Sequence, residues 1–278
     1  MKYASFVAPD GQAVFGRVEG DRIVELTGPD DLKTAIAAAS LPSLAPGRWF
    51  DLGRVDLLPV IPNPGKILCI GLNYETHRQE TGRAEADHPA VFTRFPDTLV
   101  GDGAPILRPG VSEQLDYEGE LAVIIGQGGR SIPVGQALDH VAGYACFNDA
   151  SVRDWQRHNI QFTPGKNFPG TGAFGPWLVT PDEVSDLAAQ HVVTRLNGVV
   201  VQDQPISEMI WPVAELIAYV SVFTPLSPGD VIATGTPGGV GARRTPPLWM
   251  RPGDRVEVEI GSIGLLINPV VEDAFHSS

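Results

Sequence analysis

Cysteine is scarce in this chain: two among 278 residues. That excludes a disulfide-dense scaffold, and no Cys/His clusters stand at zinc-ligand spacing. Both thiols, Cys69 and Cys146, lie in apolar runs and read as reduced, buried groups. Positive charge is also short, with 20 Lys and Arg against 33 Asp and Glu and a net charge of −13. Such a balance argues against a nucleic acid or an anionic membrane as partner. No apolar run is long enough to span a bilayer, and residues 1–6 lack a signal-type core, so a cytoplasmic, soluble protein is the expectation. A Gly-x-Ser-x-Gly nucleophile elbow is missing as well. Gly235–Gly241 is not a P-loop, because no Lys-Ser or Lys-Thr follows its glycines, and Gly126-Gln127-Gly128-Gly129 leads into Arg130 rather than a helix.

Glycine and proline, by contrast, are plentiful, at 31 and 25 residues. Many turns imply a β-rich α+β body rather than a bundle. Short strands are expected at 3–7, 14–18 and 22–26, and a helix at 30–39 with an acidic start and an Ala-rich body. Pro59, Pro62 and Pro64 mark a linker, which divides the chain into a small N-terminal domain, 1–62, and a main body, 63–278. In the main body strands are expected at 66–71, 120–126, 141–147, 191–197, 199–202, 230–234 and 254–260. Asn197-Gly198 is a hairpin turn signal. Pro212 suits a first helical position, followed by a stripe of Val213, Leu216, Ile217 and Val220.

The stretch Asp116-Tyr117-Glu118-Gly119-Glu120-Leu121 carries the most chemical information. Glu118 and Glu120 project from one face of a strand, beside a run that must be buried. Like charges so placed repel unless a cation lies between them. Asp149 follows a second apolar run, and the three carboxylates form a candidate all-oxygen site for Mg²⁺ or Mn²⁺, with Ca²⁺ as a further fit. The bland alternative is a solvated Glu pair at a strand entrance, with Asp149 capping a helix that starts at Ser151.

Three other groups are candidates. His77 and Glu80, three residues apart, meet on a helical turn, where a carboxylate fixes an imidazole tautomer and makes it a better base; an exposed polar turn is the alternative. Lys166, among Gly and Pro, can be held near a developing oxyanion, or can be merely solvated. The backbone N–H groups of the Gly-rich 234–241 segment can bind a carboxylate or form only a tight turn. Lys166, Arg153 and Arg94 are the cations that would reverse the negative potential locally.

Taken in order, these segments resemble the fumarylacetoacetate hydrolase family. The resemblance rests on Gly71-Leu72-Asn73-Tyr74 with His77 and Glu80, on Asp116-Tyr117-Glu118-Gly119-Glu120-Leu121, and on Asn148-Asp149 with Ser151, Arg153, Asp154 and Gln156. It continues through Gly165-Lys166 with Phe168, Gly175-Pro176-Trp177, the 234–241 segment and Pro252-Gly253-Asp254. It implies an FAH-type mixed β-roll catalytic domain behind a small N-terminal β-rich domain, and a homodimer. It also implies metal ligation by Glu118, Glu120 and Asp149, a His77–Glu80 pair that positions water, charge stabilisation by Lys166, and substrate contacts from Arg153, Gln156 and Thr236. A fourth carboxylate ligand, found near Asn73 or Tyr74 in some members, is absent, so water would fill that position.

The activity this implies is hydrolysis of the C–C bond of a 2,4-dioxo acid, of acylpyruvate or fumarylpyruvate type, to pyruvate and a second acid. Metal coordination makes C3 a carbanion leaving group. Decarboxylation of an oxaloacetate-type acid and isomerisation of an unsaturated 2-hydroxy diacid use the same electron sink. A metabolite binder that keeps only the scaffold is a further alternative. The expected partner is a small dicarboxylate or diketo acid, with Phe162, Phe168, Trp177 and Trp249 either shaping its tail pocket or packing the core.

Overall fold

The computed structural model describes residues 1–274. The N-terminal strands are β1 (Lys2–Val7), β2 (Ala13–Glu19), β3 (Arg22–Thr27), β4 (Ala45–Asp51) and β5 (Asp56–Leu57), with helix α1 (Leu32–Ala37) between β3 and β4. Next come β6 (Ile67–Gly71), α2 (Glu75–Thr81), β7 (Ala90–Arg94), β8 (Leu99–Val100), β9 (Ile106–Arg108) and β10 (Leu115–Asp116). The middle of the chain holds β11 (Gly119–Ile125), β12 (Val141–Asp149), β13 (Ser151–Val152), α3 (Arg153–Gln156), α4 (Thr163–Lys166) and β14 (Gly172–Val179). The last elements are β15 (His191–Leu196), β16 (Val199–Pro205), α5 (Val213–Phe223), β17 (Val231–Ala233), β18 (Arg255–Ile260) and β19 (Gly264–Glu272).

One mixed sheet runs β4-β3-β2-β1-β14-β12-β11-β17-β6-β7, and a smaller one runs β16-β15-β18-β19-β9. The N-terminal strands join the large sheet through the antiparallel pairing of β1 with β14. The architecture is the β-rich, mixed-sheet α+β fold expected. Strand β11 explains why it is layered. Its run Leu121–Ile125 does not alternate with polar residues and is buried throughout, so both faces must be covered. Leu121, Val123 and Ile125 enter one apolar core, with Val256, Val258 and the α5 stripe. Ala122 and Ile124 enter the other, with Leu32 and Ile36 of α1 and Val60 and Ile61. Each fully buried aliphatic side chain is worth roughly 1.5–3 kcal/mol, so this strand anchors both layers.

Local signals mostly read through. Asn197 and Gly198 both have positive φ, as the tight β15–β16 hairpin requires. Helix α5 buries Val213, Leu216, Ile217 and Val220, but Pro212 is its N-cap residue rather than its first helical one. Lys166 ends the short helix α4. Both cysteines are free and buried, and burial pushes both thiols up, so they stay protonated. Among the described residues no helix is long and apolar enough to cross a membrane.

Candidate active site

Antiparallel register assembles the three carboxylates. Gly119 of β11 pairs with Asn148 of β12, and one residue further the Asp149 N–H donates to the Glu118 carbonyl at 2.9 Å. Glu118 and Asp149 therefore stand opposite one another, with Glu120 two residues along on the same face. Ligand oxygens of Glu118, Glu120 and Asp149 lie within 4.8 Å of one another, and all three residues are buried. The solvated-pair alternative is thus removed. Nor does Asp149 cap a helix: α3 follows Val152 and has no side-chain cap.

Cations surround the cluster. Lys166 Nζ donates to Glu118 Oε2 and to Asp149 Oδ2. Arg94 donates Nε to Asp149 Oδ1, Nη2 to the Ala150 carbonyl, and Nη1 to Thr171 Oγ1 at 3.0 Å. Arg153 is forked between Asp116 Oδ2 at 2.8 Å and Glu118 Oε1 at 2.6 Å, and its third nitrogen donates to Gln156 Oε1 at 3.0 Å. Asp116 is in turn held by the N–H groups of Gly241 and Ala242. Glu120 Oε2 accepts from Gly235 N–H at 2.9 Å.

These contacts divide the charges. Burial raises the Glu118 carboxyl, but Arg153 and Lys166 outweigh burial and hold it below the ordinary range. Glu120 goes the other way: burial first, then Asp149 and Glu118, push it well above its ordinary value. Burial lowers Lys166, yet Asp149 and Glu118 more than compensate and keep it an ammonium. Counting Asp116, four carboxylates face three cations in a buried cluster. The fourth negative charge, on Glu120, has no cation to balance it, and a set of three oxygen-donor side chains in that condition fits a hard divalent cation.

The dyad forms as the spacing predicts. His77 Nδ1 lies 2.6 Å from Glu80 Oε1 on α2. Glu80 Oε2 accepts from Gly239 N–H at 2.9 Å, which ties α2 to the Gly-rich segment. That segment thus binds carboxylates of the protein itself, Glu120, Glu80 and Asp116. Thr236 Oγ1 donates to the Gly119 carbonyl and accepts from Gln202, so its hydroxyl proton is already committed.

A cavity of about 450 Å³ brings His77, Glu118, Glu120, Arg153, Gln156, Lys166 and Thr236 onto one surface. Asp149 and Glu80 are not on that surface. Of the four tail-pocket candidates Phe162 lines the cavity, whereas Phe168 packs edge-on to Trp155 at 5.2 Å and Trp177 donates to the Ile263 carbonyl. Trp249 is not on the lining. Asn73 does not stand in for a fourth ligand: its amide is consumed by Trp211 and Thr234 backbone groups. Asp116 was not among the expected site residues, although its spacing continues that of Glu118 and Glu120. Arg94 was expected only as a source of positive potential, because nothing local in sequence links β7 to Asp149.

The profile described as Fumarylacetoacetate (FAA) hydrolase C-terminal matches residues 66–271. The chain belongs to the fumarylacetoacetate hydrolase family. A second profile, Rv2993c-like N-terminal, matches residues 1–59. Oxaloacetate tautomerase YisK of Bacillus subtilis (strain 168) is 44% identical over 226 residues, which span 80% of this chain and 75% of that protein. Among solved structures, a fumarylacetoacetate hydrolase from Exiguobacterium antarcticum superposes with a TM-score of 0.86 at 36% identity, covering 98% of this chain and 100% of that one. The 2-hydroxyhepta-2,4-diene-1,7-dioate isomerase of Mycobacterium marinum gives a TM-score of 0.82 at 32% identity, with 99% of each chain covered. Membership in this family of enzymes is therefore established, and the relatives include hydrolase, tautomerase and isomerase names.

Proposed function

We propose that this family member is a divalent-metal-dependent enzyme that interconverts the keto and enol forms of a 2-oxo acid. In this reading Glu118, Glu120 and Asp149 hold Mg²⁺ or Mn²⁺, with Ca²⁺ also suited to the oxygen donors. His77 and Glu80 move the proton, Lys166 stabilises charge, and Arg153, Gln156 and Thr236 border the substrate. The observation that carries it is His77, held by Glu80, lining the cavity that Glu118, Glu120 and Lys166 also line. The tautomerase relative supports the same reaction type.

The bound cation would draw electron density from the 2-oxo oxygen and so acidify C3. With Nδ1 engaged by Glu80, His77 is left with Nε2 as the nitrogen free to take a C3 proton. Lys166 would donate to the oxygen that acquires the charge. With Glu118, Glu120 and Asp149 ionised around it, a divalent ion would leave the buried cluster one positive charge in excess, which a substrate carboxylate would neutralise. We further propose a cytoplasmic homodimer, with residues 1–62 as a small domain on a 63–278 catalytic body.

Hydrolysis of a 2,4-dioxo acid is the second reading, favoured by the same dyad, because Nε2 could instead take a proton from water. To separate the two, metal-stripped protein is assayed with and without Mg²⁺ or Mn²⁺ on enol oxaloacetate and on acetylpyruvate. Metal-dependent loss of the enol signal without a change of mass supports the first reading. Pyruvate and acetate from acetylpyruvate support the second, and no metal-dependent change in either substrate overturns both.

A further inference from the structure

The cavity has a second charged region at its mouth. Arg83, just beyond α2, Arg157, at the end of α3, and Arg243, in the turn after the Gly-rich segment, all line it and are exposed. Nine of the sixteen arginines of this acidic chain are paired with carboxylates: Arg17, Arg48, Arg54, Arg78, Arg108, Arg195 and Arg255 nearer the surface, Arg94 and Arg153 inside. The three at the mouth have no carboxylate within ion-pair distance among the described residues. Arg157 reaches only the amide oxygen of Gln114, at 3.5 Å. The carboxylates on the cavity wall, Glu118 and Glu120, are buried on the metal side. The lining also includes the apolar side chains of Ile70, Phe92, Phe162 and Val240.

Three exposed guanidinium groups from separate segments line one cavity of a chain with net charge −13. They form a local positive field that attracts and orients an anion, and the guanidinium fork matches a carboxylate. A four-carbon acid anchored at the carboxylate cluster would fill only part of a cavity of about 450 Å³.

We propose that Arg83, Arg157 and Arg243 are specificity determinants that receive a terminal carboxylate of the substrate, at the end of an apolar chain remote from its 2-oxo acid group. This rests on the reading that the 2-oxo acid end docks at Glu118, Glu120 and Asp149. Selection then depends on chain length and on the distal charge.

Two acids that differ only at the far end test this: 2-oxoadipate, with a terminal carboxylate, and 2-oxohexanoate, with a terminal methyl. Their binding to the Mg²⁺-loaded protein is measured by calorimetry, a readout that needs no turnover. The proposal predicts that 2-oxoadipate binds about tenfold tighter or more, the scale of one charge-assisted hydrogen bond. Salt should erode that preference. In Arg83→Ala/Arg157→Ala/Arg243→Ala the preference should vanish while 2-oxohexanoate binds as before; these side chains are exposed, so the fold should persist. Equal affinity for the two acids, no binding of either, or a preference that survives the triple substitution would overturn the proposal. The docking reading fails separately, if the affinity for 2-oxohexanoate is the same with and without Mg²⁺.

Discussion

Arg94 donates its Nε to Oδ1 of Asp149, and neither side chain has any exposed surface. The register of β6 with β7 sets Arg94 opposite Ile67, whose side chain lies in the same core layer as Ala122 and Ile124 of β11. Arg94 therefore rises on the face that carries the carboxylate cluster. With Oδ1 so engaged, Asp149 presents Oδ2 to the cluster. Arg94→Met leaves a buried carboxylate short of its partner, which costs roughly 3–5 kcal/mol. Metal affinity should fall about 10- to 100-fold, as when an outer partner of a ligand is removed. Urea unfolding and calorimetric Mn²⁺ titration check the two effects; unchanged Mn²⁺ affinity would show that Arg94 does not orient a ligand.

Glu120 gives the cluster a pH dependence. In the metal-free protein burial, then Asp149 and Glu118, raise its carboxyl well above the unfolded value. The folded state thus keeps a proton that the unfolded chain loses above about pH 4.5. Stability from this source is complete below the unfolded value and is lost as pH rises toward the folded one. Metal-free Glu120→Gln should match the parent near that lower limit and gain on it by up to about 1.4 kcal/mol per pH unit above it. Metal binding needs the carboxylate, so the parent's affinity should rise over the same window while the variant's stays low. Urea midpoints and Mn²⁺ titrations across pH would show this, and a stability difference that does not vary with pH would contradict it.

How far the sequence revealed this arrangement depends on range. Glu118 with Glu120, and His77 with Glu80, are local pairs whose spacing on a strand or a helical turn carries the geometry. The buried run of β11 announces a two-sided core for the same reason. Arg94 and Asp149 are 55 positions apart, and their meeting is set by pairing across several strands. Asp116 has the same two-residue spacing as the other carboxylates, yet it turns to Arg153 and to two N–H groups of the Gly-rich segment. Periodicity shows which face a side chain takes and not which partner waits there. The Pro and Gly beside Lys166 carry no helical signal, yet 163–166 is helical where Gly165 packs against Gln156 of α3.

Packing between α3 and α4 is tight enough to be tested at Gly165. A Cβ there would lie 2.3 Å from the backbone nitrogen of Gln156 and 2.4 Å from its Cα, and neither atom can rotate away. Gly165→Ala should push α4 off α3 at a cost of about 1–3 kcal/mol. Lys166, the next residue, would then be drawn away from Glu118 and Asp149, with turnover falling by up to about 100-fold. Thermal unfolding together with kcat measures both. A variant of normal stability and rate would mean that the close approach does not hold Lys166 in place.

The central claim is that His77 removes a proton from C3 of a 2-oxo acid anchored at the Glu118–Glu120–Asp149 cluster. Its most direct test is exchange of the C3 protons of 2-oxobutyrate in deuterated buffer, followed by NMR with Mg²⁺-loaded protein, metal-stripped protein and loaded His77→Gln. Rapid exchange only in the loaded parent, slowed by roughly 100-fold or more in the variant, is the result predicted. Exchange at the same rate in loaded His77→Gln, or no exchange above the buffer rate in the loaded parent, would contradict it.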